Sequence, residues 1–200
     1  MIKSINDLLV MYNDYSDPLG KIHRELKKEN LYSVVKGLYE TDRNTPGYFL
    51  SAYIYGPSYL SFEYALYYHG LIPEKVVVYT SATFQKRKSK KYKNSFGVFT
   101  YRDIPKSAYP YGIKIYIVNG YSYFIATKEK ALCDRLYIAR PQTSMKALKY
   151  LMFDDLRIDE DEFYDLNMEE ILFLCDKYKS TNIKLLKKII RKEMIGYDNY

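Results

Sequence analysis

Asn119 and Gly120 sit between two β-prone runs, IKIYIV (Ile113–Val118) and YSYFIAT (Tyr121–Thr127). A two-residue Asn-Gly loop accepts positive φ at both positions, which matches the twist of the strands it joins. The segment is therefore expected to form an antiparallel hairpin. Two further extended runs precede it, KVVVYTSAT from Lys75 and FGVFTYRDI from Phe96. Segments with helical spacing lie on both sides. The pattern reads as an α+β fold with a small, mostly antiparallel sheet and C-terminal helices.

Helix signals dominate the two ends. Over Ile2–Tyr15 the residues Ile5, Leu8, Leu9 and Tyr12 recur at helical spacing behind Ser4, a suitable N-cap. Asp17 and Pro18 open a second helix with Leu19, Ile22 and Leu26 as its apolar stripe and Lys21, Arg24, Lys27 and Lys28 off it. LYSVVKGLYETD then reads as a hairpin about Lys36-Gly37. Helix, turn, basic helix and hairpin outline a winged helix-turn-helix unit, whose second helix enters the major groove. A plain α-hairpin carrying a β-ribbon has the same outline. The linker-like RNTPGYF places a boundary near Thr45, separating 1–45 from 46–200.

After the boundary, YFLSAYIY is expected to be a short helix. Pro57 is expected to open another, with Leu60, Tyr64 and Tyr67 or Tyr68 on it and Gly70 closing it. Thr127 caps KEKALCDRLYIAR, with Leu132, Leu136 and Tyr137 inward and Pro141 as the stop. Four helical segments complete the chain.

Charge is distributed in blocks. The net charge is +7, Lys75 to Arg102 contains no acid, and FQKRKSKKYK (Phe84–Lys93) holds six cations in ten positions. Asp154 to Glu170 carries nine acids against Arg157 alone. Such blocks steer charged partners, or face each other within one molecule. The Phe84–Lys93 stretch joins two strands, so it lies at an edge or connection. There it either neutralises phosphates or protects a sheet edge from aggregation. The 25 tyrosines suit either packing or a contact surface. Acids interrupt the N-terminal segment where a signal peptide is apolar, and no run is long enough to cross a bilayer, so a cytoplasmic protein without a membrane partner is expected.

Catalytic signals are sparse. Cys133 and Cys175 lack metal-ligand spacing, and His23 and His69 read as structural or surface residues. No phosphate loop, paired metal histidines or nucleophile elbow is present. No cofactor or metal is expected. The enzymatic alternative is a metal-dependent nuclease using Asp103 and Glu129, although Glu129 also suits the first turn of a helix.

Three ordered stretches are more specific. YGPSYLSFEYALYYHGLIPEKVVVYTSAT (Tyr55–Thr83), FGVFTYRDIP (Phe96–Pro105) and YSYFIATKEKALCDRLYI (Tyr121–Ile138) resemble the signature of the AbiEi family, antitoxins of type IV toxin–antitoxin systems linked to abortive phage infection. The resemblance implies a non-enzymatic protein of two parts: an N-terminal winged helix that represses its own operon, and a domain that counters a nucleotidyltransferase toxin without a stable complex. Carried over, His23–Glu40 aligns with the recognition helix and wing. Operator DNA is then expected at Lys21, Arg24, Lys27, Lys28 and Lys36, with a second basic surface at Lys86, Arg87, Lys88, Lys90, Lys91 and Lys93. The implied state is a monomer or weak dimer, cooperative on DNA. The N-terminal unit departs from the pattern in having two helices where a winged helix usually has three. A protein-binding module that holds the toxin by a tyrosine-rich face is the remaining alternative.

Overall fold

The computed structural model of the chain describes residues 1–197, an α+β fold. Its first elements are β1 (Ile2–Ser4), α1 (Ile5–Met11), α2 (Pro18–Lys27), β2 (Tyr32–Val35) and β3 (Leu38–Glu40). Both caps form where expected. Ser4 and Asp7 exchange hydrogen bonds as a capping box. Asp17 accepts the Gly20 amide at 2.8 Å behind Pro18 in the first turn. The three strands pair antiparallel in the order β1-β3-β2, so Ile2–Ser4 is strand rather than the start of the first helix. The apolar stripe of α2 also differs from expectation. Leu19 is 54 % exposed, while Glu25 turns inward and accepts hydrogen bonds from Lys21 and Asn30.

Next come α3 (Gly47–Ile54), β4 (Tyr59–Leu60), α4 (Phe62–Tyr68), β5 (Val78–Thr83), β6 (Lys90–Asn94), β7 (Gly97–Asp103), β8 (Ile113–Val118) and β9 (Tyr121–Ala126). Pro57 does not open a helix. It follows a cis peptide, the chain then runs through β4, and α4 begins at Phe62. Gly70, at φ +79°, ends this helix as expected, because a left-handed residue is least strained without a Cβ.

The second sheet has six strands in the order β6-β7-β5-β4-β9-β8. It is mixed: β5–β7 and β4–β9 are parallel, and the other pairings are antiparallel. The two-residue β4 closes the centre, lying between β5 and β9. Asn119 and Gly120 both have positive φ, and the β8–β9 register runs unbroken from Ile113–Ala126 to Val118–Tyr121.

The remaining helices are α5 (Lys128–Ile138), α6 (Met145–Tyr150) with a π-helical turn Leu151–Asp155, α7 (Glu160–Tyr164), α8 (Met168–Cys175) and α9 (Thr181–Tyr197). They bury Leu132, Leu136, Phe163, Leu174 and Ile190 in one large core with α4. Each such side chain contributes about 1.5–3 kcal/mol by leaving water. A smaller core joins the first 40 residues to the sheet, with Val34 packed among Leu50, Ile54, Phe96, Phe99 and Tyr101. Across the expected boundary, buried Glu40 accepts from the Tyr121 hydroxyl at 3.0 Å. No helix of the described residues is long and apolar enough to cross a membrane.

The charge blocks do not simply face one another. Among the described residues the acids of 154–170 form no ion pair with Lys86–Lys93; Glu162 instead meets Lys128 at 2.6 Å.

Candidate nucleic-acid interface

On α2, burial of Ile22 and Glu25 turns Arg24, Lys27 and Lys28 to solvent. These three positions are three and four residues apart, hence neighbours on one helix face. Lys21 is not part of that face. Its ammonium meets the Glu25 carboxylate at 2.7 Å and lies over the Tyr12 and Tyr15 rings. The hydrogen bond from Lys21, with a second from Asn30, holds the Glu25 carboxyl below its usual range. Lys36 is exposed at the tip of the β2–β3 hairpin.

The second basic surface is half connection and half edge strand. β6 is the terminal strand of its sheet, and alternation along it sends Lys91 and Lys93 outward while Lys90, Tyr92 and Asn94 are half-buried. The preceding connection is held by Asp103. Its carboxylate accepts the Thr83 hydroxyl at 2.5 Å and the Arg87 amide at 2.6 Å. Gln85 and Arg87 both sit at φ +56°, so this loop makes two left-handed turns that Asp103 secures. Arg87 and Lys88 are exposed, whereas the Lys86 ammonium donates to the Gly56 carbonyl at 3.0 Å and lies over Tyr55.

Between β6, β7 and the last residue of α5 lies an open cleft of about 710 Å³, rimmed by Arg87, Lys88, Lys90, Lys91 and Arg102. Arg102 is the residue that sequence reasoning missed. Phe99 and Tyr101 are buried, so Thr100 and Arg102 must point the other way, and the alternation in FGVFTYRDI carried that signal. The aromatic residues of the basic stretch are packing groups. Phe84 lies 4.3 Å from Tyr109, whose phenol burial pushes up to about 12, and Tyr92 packs against both Tyr55 and Tyr101.

The two basic regions meet. The Asn94 side-chain amide donates to the Val34 carbonyl at 2.8 Å, so the lysine-bearing end of β6 is fastened to the strand that leads into Lys36. This gives one structure with cations on the α2 face, the hairpin tip and the sheet edge.

The proposed nuclease acids are engaged separately. Asp103 anchors the basic loop, and Glu129 accepts the Asn167 amide at 3.1 Å at the start of α8. Among the described residues no group of three His, Cys, Asp or Glu side chains is placed to hold a metal ion. His69 is half-buried, and its Nε2–H donates to the Ala126 carbonyl at 2.7 Å.

A second polar cluster lies deep under α5. Lys130 and Asp134, one helical turn apart and both fully buried, approach to 3.1 Å. Lys130 also donates to the Ala108 carbonyl at 2.9 Å and to the Tyr178 hydroxyl. Asp134 accepts from Tyr59 and Ser61, each at 2.7 Å, and from Tyr178 at 2.6 Å. Burial first, and the Asp134 charge second, push both tyrosine phenols well above their usual range. The neighbouring Cys133 thiol is raised by its hydrogen bond with Cys175 and by burial, so it stays protonated and unreactive. The cluster is closed to solvent and satisfied, which suits a structural role.

In comparisons with known proteins, no family model and no curated protein matches the chain.

Proposed function

We infer that the chain is a DNA-binding antitoxin of the AbiEi type, which represses its own operon and counters a nucleotidyltransferase toxin. The order strand, helix, helix, hairpin with a β1-β3-β2 sheet supports an abbreviated winged helix that lacks one helix. The observation that carries the reading is the outward cationic face of α2, Arg24, Lys27 and Lys28, beside a hairpin fastened to a lysine-rich edge. Arg24 and Lys28 are assigned to base edges and phosphates, and Lys36 and the β6 lysines to backbone phosphates. The motifs in Tyr55–Thr83, Phe96–Pro105 and Tyr121–Ile138 support the antitoxin half. They form much of the sheet together with α4 and α5, where their apolar members pack the core.

The test is binding to the chain's own upstream DNA and to scrambled DNA over a salt series. Preference for upstream DNA with a steep salt slope is expected. Arg24→Ala with Lys28→Ala should remove the preference, at about 1–3 kcal/mol for each side chain that reads a base. Equal binding to both DNAs would remove the operator assignment. If the adjacent gene encodes a nucleotidyltransferase, co-expression with it tests the antitoxin half, and absence of protection from a toxic product would exclude that.

A further inference from the structure

The cleft bounded by β6, β7 and Ile138 lies on a definite side of its sheet. Lys91 of β6 stands opposite Thr100 of β7, and Arg102 follows two residues on, so these side chains share one face. Tyr92, Phe99 and Tyr101 point to the other face, where they pack with Val34, Leu50 and Ile54. The sheet therefore stands between the cleft and the N-terminal unit that carries α2. On the cleft side the helical layer stops short. Ala82 of β5, in register with Arg102, is buried in one core with Leu132 and Leu136 of α5. Beyond Ile138 the face of β7 and β6 is open, and the cleft of about 710 Å³ forms there.

Charge and shape specify what fits it. Arg87, Lys88, Lys90, Lys91 and Arg102 crowd the rim, and none of them has an ion pair among the described residues. Asp103, the acid of the lining, has both carboxylate oxygens bonded, one to the Thr83 hydroxyl and one to the Arg87 amide. Cations held so close repel one another, and an anion of several charges relieves this more than a single charge does. The volume falls within the roughly 300–1,000 Å³ of a small-molecule site. A single strand of nucleic acid calls for aromatic faces on which bases stack. The aromatics beside the cleft are already packed, Phe84 on Tyr109 and Tyr92 and Tyr101 on Tyr55 and each other. Phosphates are therefore what the cleft can recognise, with two guanidinium forks able to take them bidentately.

We propose that the cleft is a separate site for a linear oligophosphate, such as the triphosphate chain of a nucleotide. Arg102 and the Thr100 hydroxyl bind phosphate oxygens from the sheet face, and Arg87, Lys88 and Lys91 bind them from the rim. The site does not depend on whether α2 reads DNA.

Calorimetric titration of the full chain at about 0.15 M salt tests this, with inorganic tripolyphosphate, ATP and orthophosphate as probes. Tripolyphosphate should bind at one site, and orthophosphate at least about tenfold more weakly. An affinity for ATP no greater than that for tripolyphosphate assigns the phosphate chain alone; a greater one adds the nucleoside against Ile138. Arg102→Gln and Lys88→Gln, both at exposed positions, should each weaken tripolyphosphate about tenfold at an unchanged melting temperature. Arg24→Ala with Lys28→Ala should leave that affinity as it is. Absence of tripolyphosphate binding overturns the proposal, as does orthophosphate binding equally well. So does an affinity that neither cleft variant moves, or that the α2 variant lowers as much, since either marks diffuse attraction to the net charge. An oligoribonucleotide that binds through Arg102 where tripolyphosphate does not would give the cleft to a single strand and overturn it too.

Discussion

Lys130 and the lysines of β6 carry the same ammonium group into opposite surroundings. Lys130 has no exposure, and a carbonyl, a hydroxyl and the Asp134 carboxylate fix its ammonium. Lys91 and Lys93 stand in water, with no ion pair among the described residues. A buried cation is defined by its partners, and removing one leaves an uncompensated charge. An exposed cation is nearly neutral for folding and available to a polyanion. The difference separates what holds this protein together from what the proposed DNA binding would use.

The largest effect is expected from Lys130→Met, which leaves Asp134 buried and unpaired and should cost about 3–5 kcal/mol by denaturant unfolding. Replacing both partners, Lys130→Met with Asp134→Leu, should recover part of that loss. A single substitution with no effect would break the distinction. Next is Tyr178→Phe, which removes a hydroxyl that bonds both charges and should cost about 1–3 kcal/mol in the same assay.

Lys91→Ala with Lys93→Ala should leave stability within about 0.5 kcal/mol. It should also flatten the log–log salt dependence of DNA binding by about two if each lysine neutralises a phosphate. An unchanged slope would return these lysines to edge protection alone.

The smallest effect concerns pH. Burial lowers the His69 pKa below the ordinary value, so the folded chain holds the neutral ring while the unfolded chain binds a proton more readily. Its contribution to stability is therefore present above the unfolded pKa, about 6.5, and is lost as pH falls from there through the folded value. His69→Gln should remove that part of the slope between pH 7 and 5, as read from melting temperature.

Local chemistry made much of the fold legible in advance. Ser4, Asp17 and Thr127 cap helices because each has a side-chain oxygen within reach of a free amide, and Asn119-Gly120 forms its hairpin because both residues tolerate positive φ. Pairings distant in sequence were not legible. The two-residue β4 is specified by β5 and β9 on its flanks, and the helical reading of Pro57 failed there. Periodicity also hid Lys130 and Glu25, because a charge pattern marks a polar face and does not reveal that a partner waits inside. The α2 face and β6 edge were visible as charge. Arg102 entered only when the alternation of β7 was fixed by Phe99 and Tyr101 in the core.

The Asp103 clamp has an entropic consequence. A free lysine-rich loop must surrender many backbone conformations when it wraps a polyanion, at about 1–2 kcal/mol for each residue ordered. Here the Asp103 contacts with Thr83 and Arg87 fix the turn, leaving mainly side-chain rotamers unsettled. If the proposed DNA binding holds, the cations would be arrayed before the ligand arrives, so the attraction between opposite charges would be spent less on ordering the loop and more on holding the partner.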